Sequence, residues 1–333
     1  MLPRFFIVGW YSFNRQRYYV ASCIDRCIAM SQSLDRLQQI HSLKQITRRH
    51  VQGQTPEPLG TVGVFHCHRK QALHAVPVHQ PALIIVLSGE KRLHATALES
   101  ACLPGQMLML PGNCELQMEN IPDSGLDEYL ALFVPFNPAT IAGFLQGVGK
   151  SLDWERQLPQ LLAEAPQEIL LSLQQRIEWT LAGQADTALI ELRQQELLAL
   201  LAQQGLLGNL MRNRHPSAAQ RLSALIAMDC ARDWKMADVC AELALSESSL
   251  RRELARERCS FRDILEQVRL TTGLALLQET RWTVADIAGR VGYESPSRFA
   301  ARFRDRFGMS PAEVKRSREC LTVSGAMLAE SGA

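Results

Sequence analysis

Residues 284–311 read VADIAGRVGYESPSRFAARFRDRFGMSP. Thr283 precedes them, and Thr283-Val-Ala-Asp286 is a capping box, in which a hydroxyl and a carboxylate occupy the free N–H groups at a helix start. Val284, Ile287, Ala288 and Val291 then share one face of that helix. Gly292 ends it, because the left-handed turn at a helix terminus is cheapest without a Cβ. Ser295 and Pro296 open a second helix as N-cap and first residue. Phe299, Phe303 and Phe307, four apart, form its buried stripe, while Arg298, Arg302, Arg304 and Arg306 lie off it. Two short helices with a tight turn between them make a helix–turn–helix unit.

Working towards the N-terminus, the plan repeats. Met236–Leu243 is a short helix with Val239, Cys240 and Leu243 inward, followed by the turn Ala244-Leu245-Ser246. Ser246 caps a helix from Glu247 in which Leu250 and Leu254 face the core. Ser248, Ser249, Arg251, Arg252 and Arg256 are left for its other faces. Between the units, Ser260-Phe-Arg-Asp263 starts a connecting helix that runs to about Gln278. Seventeen residues span about 25 Å, enough to set two recognition helices about one DNA turn, roughly 34 Å, apart.

Charge agrees with this once it is read by segment. The whole chain of 333 residues carries a formal +2. Residues 217–320 hold eighteen basic and fifteen acidic residues, and all but two of the bases are Arg, whose planar fork suits phosphates and guanine edges. Residues 1–55 are basic and residues 56–216 acidic. The nine cysteines form no CxxC pair, as expected of a reduced cytoplasmic protein. No stretch reaches the roughly 18 apolar residues that span a bilayer, so no membrane partner is expected.

The 284–311 stretch resembles the signature of the AraC/XylS family of bacterial transcription regulators, roughly I-A-x-x-x-G-F/Y-x-[SD]-x-S-x-F-x-R-x-F-[KR]-x-x-x-G-x-[ST]-P. Arg269–Thr280, RLTTGLALLQET, and the spacing of the two units are similar as well. Three positions depart from the pattern. Arg258 stands where a Gly is common in the turn before the linker helix, Leu254 where Phe is frequent, and Ala301 where an Arg is often found. The resemblance implies base readout by Ser248, Ser249, Arg251 and Arg252 in the first unit, and by Pro296, Ser297, Ala300 and Ala301 in the second. Pro and Ala donate nothing to a base edge and at most touch a thymine methyl, so the first unit is expected to carry the hydrogen-bonded readout. Arg256, Arg298, Arg302 and Arg306 are the expected phosphate contacts.

Towards the N-terminus the texture changes. Leu83–Leu87, Met107–Leu110 and Tyr129–Val134 are short apolar runs closed by Gly, Pro or Asn, the pattern of a small β-barrel or sandwich. Helical periods follow at Ile141–Val148, Leu158–Glu164, Ile169–Ala182 and Thr187–Gln203, and an amphipathic helix precedes the strands at 34–50. The resemblance implies a cupin-like effector barrel here, and Leu87–His94 with Leu103–Gly112 is similar to the hairpins of such sensors. His66 and His68 alternate on one strand face as metal ligands can, but Arg69-Lys70 follow where a cupin site adds a carboxylate. They are read as hydrogen-bonded or exposed side chains, and no cofactor is implied.

The expected architecture is α+β: an extension with a short helix over 1–50, and a cupin-like barrel with flanking helices over 51–216. An all-α reader of two helix–turn–helix units joined by a linker helix follows over 217–320, with a flexible tail at 321–333. The expected function is a non-enzymatic, cytoplasmic, sequence-specific DNA-binding regulator. It is expected to be an activator answering a small-molecule effector, with double-stranded DNA and RNA polymerase as partners and a homodimer formed through 187–203. The alternative is a metal-dependent cupin enzyme with an accessory DNA-binding domain.

Overall fold

A computed structural model of the chain describes residues 34–52, 62–95, 98–184, 186–212 and 217–319. The extension expected over 1–29, the tail 321–333 and positions 213–216 of the expected boundary lie outside the described residues. Helix α1 spans 34–52. Nine strands follow: β1 Gly63–Cys67, β2 Gln71–Val78, β3 Ala82–Ser88, β4 Glu90–Ala95, β5 Leu98–Cys102, β6 Gln106–Leu110, β7 Cys114–Ile121, β8 Tyr129–Pro135 and β9 Leu162–Glu164. Interleaved and following are α2 Pro138–Gln146, α3 Gln167–Leu181 and α4 Thr187–Gln203.

The strands make two antiparallel sheets, ordered β1-β8-β3-β6-β9 and β2-β7-β4-β5. The expected barrel is therefore an open sandwich. Its edges are not joined to each other by hydrogen bonds among the described residues; the β1 and β2 edges are covered by helices instead. Gly89 turns the chain from β3 in one sheet to β4 in the other at φ +74°, where a side chain would collide with the Ile121 carbonyl. β3 is buried at every position because it faces two cores. Leu83, Ile85 and Leu87 pack towards the helices α1–α4, while Ile84 and Val86 fill the sandwich interior. The helix expected at 158–164 is replaced by β9, whose Leu162, Ala163 and Glu164 pair with Leu108, Met107 and Gln106. A free β6 edge outweighs a local period of seven residues.

Helices α5 Ala218–Met228, α6 Met236–Glu242, α7 Glu247–Arg256, α8 Phe261–Glu279, α9 Val284–Arg290, α10 Pro296–Phe307 and α11 Pro311–Ser317 complete the chain. The 19 residues of α8 divide their apolar face between two cores. Ile264 and Val268 join Leu222, Ile226, Val239, Leu250 and Leu254 in the core of the first unit. Leu270, Leu274 and Leu277 join Ile287, Val291, Phe299, Phe303 and Phe307 in the second, and that core is continuous with the sandwich interior through Leu73, Val76 and Met118. The second unit is thus packed against β1 and β2. Among the described residues no helix is long and apolar enough to cross a membrane.

Arg258 keeps the turn before α8 despite lacking the expected Gly. It adopts φ +57°, with its N–H donating to the Ala255 carbonyl and that of Cys259 to the Leu254 carbonyl, the two bonds of a Schellman end. A Cβ in that conformation costs about 1–2 kcal/mol, only partly offset by the freedom Gly adds to the unfolded chain. Arg258→Gly should raise the unfolding free energy by about 0.5–1 kcal/mol in a denaturant titration.

Where α8 meets β1, burial pushes the Glu279 carboxyl up to about 7, with Arg318 and the Val64 N–H opposing the rise. A carboxyl raised above its ordinary value favours the folded state when protonated. Its contribution is complete below about pH 4.5 and is lost as pH climbs through 7. Stability should fall by about 1–2 kcal/mol between pH 5.5 and 8.5, and Glu279→Gln should flatten that slope in parallel melts.

Candidate nucleic-acid interface and ligand cavity

The first unit is held by its caps. Ser246 Oγ accepts from the Ser249 N–H at 3.2 Å and fixes the start of α7. With Leu250 and Leu254 buried, Ser248, Arg251, Arg252 and Arg256 stand exposed on the remaining faces. Arg251 pairs one turn back with Glu247, a solvent-exposed pair that is weak by nature and open to exchange. Ser249 is half-buried and its hydroxyl bonds to Ser246 at 2.9 Å, so it is drawn into the cap.

In the second unit the Thr283–Asp286 capping box opens α9, and Ser295 Oγ accepts from the Arg298 N–H at the start of α10. Phe299, Phe303 and Phe307 stack down the buried side with ring centroids 5.5 and 4.6 Å apart. Pro296, Ser297, Arg298, Ala301 and Arg302 are exposed, and Ala300 is half-buried. The structure engages two of the four expected phosphate contacts inside the protein. Arg302 donates Nε and Nη2 to the Glu266 carboxylate of α8 at 2.5 and 2.6 Å, and that bidentate bond holds the Glu266 carboxyl below its ordinary range. Arg306 reaches Glu115 at the start of β7 and is half-buried there. Glu266 and Glu115 lie 36 and 191 residues away in sequence, so no local pattern announces these pairs. Arg256 and Arg298 remain exposed.

A cavity of ≈ 310 Å³ lies between the sandwich and the helices α5 and α8. Phe65, Leu73, Val76, Ile84, Met118 and Phe133 form its sheet side, and Ala227, Val268, Thr271, Leu274 and Gln278 its helix side. One lining residue bears a charge: Lys91, whose side chain is fully buried. Its ammonium donates to Asn120 Oδ1 at 2.7 Å and sits 5.2 Å from the Phe65 ring centroid. No carboxylate pairs with it among the described residues. Burial lowers it to about 8, so it is mostly protonated at neutral pH. His79 lines the same cavity with a buried, unpartnered Nε2, and burial pushes it down to about 4, hence neutral. A mostly apolar cavity with one buried cation that lacks a carboxylate partner suits a monoanion with an apolar body.

The reading of the N-terminal half missed Lys91, although its signal is visible in the sequence. Lys91 is two residues from Leu93 on β4, so strand alternation puts both inward.

His66 lies on β1 while His68 falls just beyond the strand's end, in a bend, and their rings meet edge-on 4.7 Å apart. His66 Nε2 lies 3.3 Å from Glu128, whose carboxylate is also gripped by Arg48, and His68 Nδ1 bonds the Asp127 carbonyl at 2.6 Å. Burial lowers the His66 imidazole despite its contact with Glu128. No cluster of three or more metal-ligating groups occurs among the described residues. On the helical side, α4 packs against α2 and α3 through Leu197, Leu198 and Leu201, while Leu192 is 63 % exposed.

Residues 239–317 match the profile of a helix-turn-helix domain, and residues 81–212 that of the ExsA N-terminal regulatory domain. The TCP pilus virulence regulatory protein of Vibrio cholerae is 28% identical over 96 residues, which cover 29% of this chain and 35% of that protein. The HTH-type transcriptional regulator YdeO of Escherichia coli is 33% identical over 116 residues, 35% of this chain and 46% of YdeO. The chain thus spans less than half the length of these curated relatives. The crystal structure of unsaturated fatty acid-bound wild-type ToxT from Vibrio cholerae superposes with TM-score 0.54 at 15% identity, over 77% of this chain and 94% of ToxT, so sandwich and helices share one fold. The two halves thus match two different profiles, a helix-turn-helix domain towards the C-terminus and the ExsA N-terminal regulatory domain before it.

Proposed function

We propose that this protein is a cytoplasmic DNA-binding transcription regulator, an activator, that reads two adjacent major grooves and responds to a small anionic effector. The observation that carries the reading is the pair of capped second helices, α7 and α10. Each buries one stripe and turns Arg-bearing faces outward on a scaffold set by α8. In this reading Ser248, Arg251 and Arg252 meet base edges, with Ser249 supporting them from the cap. Pro296, Ser297, Ala300 and Ala301 press on the second groove by shape and methyl contact. Arg256 and Arg298 neutralise phosphates directly. Arg302 and Arg306 do so only after exchanging Glu266 and Glu115 for the nucleic acid. The division into a sensing half and a reading half falls near residue 216, RNA polymerase is the downstream partner, and the exposed Leu192 face of α4 supports pairing of two copies.

The effector belongs in the cavity at Lys91. A monocarboxylate with an apolar chain or ring supplies the missing counter-charge and fills the apolar walls. The fatty acid in ToxT gives that chemistry a precedent on a similar fold.

Genomic fragments captured by the full chain, followed by anisotropy titrations, test the reader. Duplex affinity should fall steeply with salt, with a log–log slope of about −4 to −6. Arg251→Ala or Arg252→Ala should cost about 1–3 kcal/mol on the captured site and relax discrimination at one base pair. Arg298→Ala should weaken all duplexes alike. A flat salt response would instead indicate a protein-binding module.

The sensor has its own test. Lys91→Met should abolish calorimetric binding of decanoate, because it removes the charge that meets the carboxylate. For the unsubstituted chain, decanoate affinity should be level between about pH 6 and 8 and drop about tenfold per unit above it, as Lys91 loses its proton.

A further inference from the structure

The cavity cation is one end of a buried row of polar side chains that crosses the smaller sheet. Lys91 on β4 is in register with Asn120 on β7, and Asn120 with Gln71 on β2. All three are fully buried, each in phase with an inward apolar neighbour: Leu93, Met118 and Leu73. Hydrogen bonds run the length of the row. Lys91 Nζ donates to Asn120 Oδ1 at 2.7 Å, and Asn120 Nδ2 donates to Gln71 Oε1 at 2.8 Å. Gln71 Nε2 donates to Ser317 Oγ at 2.7 Å, and Ser317 Oγ donates to the Val314 carbonyl at 2.6 Å. Gln278 of the linker helix joins from the side, donating Nε2 to Gln71 Oε1 at 3.4 Å. The row begins at the ligand cavity and ends in α11, behind the second reader unit.

We propose that this row couples occupancy of the cavity to the docking of the second unit, a step that rests on the cavity being the effector site. The reason is polarity. Asn and Gln amides carry a donor at one end and an acceptor at the other, so each link fixes the sense of the next. Lysine only donates. Its ammonium therefore sets Asn120 with oxygen towards β4 and nitrogen towards β2, and Gln71 must follow. Ser317 is then obliged to accept from Gln71 and to spend its own hydrogen on α11. The backbone of Ser317 is the docking point: its carbonyl accepts from the N–H groups of His68 and Arg69 at 2.6 and 3.1 Å, in the turn between β1 and β2. An anion that draws the Lys91 ammonium into the cavity removes the group that pins the row. The amides are then free to reverse, and a reversed Gln71 presents an acceptor to Ser317 in place of a donor. Buried polar rows are all-or-none in this respect, because a half-satisfied member costs more than either complete arrangement.

The experiment uses the full chain with decanoate and cis-9-octadecenoate as probes, and reads amide hydrogen exchange at His68, Arg69 and α11. In the unsubstituted protein a saturating probe should change exchange at these amides by about fivefold or more. Gln71→Leu and Ser317→Ala interrupt the row away from the cavity. Both should bind the probe within about threefold of the unsubstituted affinity while the exchange response shrinks to less than about 1.5-fold. Ser317→Ala, a loss of one oxygen, serves where Gln71→Leu does not fold. A full response retained in the interrupted variants overturns the coupling but leaves the cavity reading standing. If the unsubstituted protein binds neither probe, the cavity reading fails and the coupling falls with it.

Discussion

The apolar seam between α8, α10 and the strands β1 and β2 sets the arrangement of everything else. Phe299, Phe303 and Phe307 would form an adequate small core within a helix–turn–helix unit, yet here they continue into Leu73, Val76 and Met118 of the sandwich. Each such side chain contributes about 1.5–3 kcal/mol when fully buried, so the seam outweighs any single polar contact at its rim. The Arg306–Glu115 pair and the Ser317 carbonyl orient the surfaces that the hydrophobic effect brings together. The first unit meets the sandwich through α5, where Gln220 bonds the His79 carbonyl at 3.5 Å, and α8 joins its core to that of the second unit.

Within this frame Lys91 is a local conflict. A buried ammonium opposed by one amide oxygen and two aromatic faces is poorly compensated, and apolar replacement of buried charges usually stabilises. Its retention in the interior of the sandwich is intelligible if the missing charge arrives from outside. The same conflict gives the amide row its direction, since only a residue that never accepts can impose one sense on its neighbours.

The helix–turn–helix units were legible because their determinants are local. Thr283, Asp286, Gly292, Ser295 and Pro296 each act within a few residues, and their caps form as read. The strands at Leu83–Leu87 and Tyr129–Val134 were legible from runs closed by turn residues, though β3 is so uniformly apolar that its two faces cannot be separated without the fold. What could not be read is whatever depends on partners distant in sequence. β9 is a strand only because β6 offers an edge, and the sheets stay open because helices cover β1 and β2. Arg302 and Arg306 look alike along α10 but meet different acids. Lys91, Asn120 and Gln71 lie on three strands, and only their register makes them one object.

The shared core has an evolutionary corollary. Regulators built from separable modules can exchange sensors by recombination, because a linker tolerates almost any neighbour. A helix–turn–helix domain whose aromatic stripe continues into the interior of the neighbouring sandwich has lost that freedom. Substitutions on β2 and on α10 must be accommodated together, and a hybrid carrying a foreign sensor would inherit a cleft or a clash where Leu73 and Phe303 now belong to one packing unit.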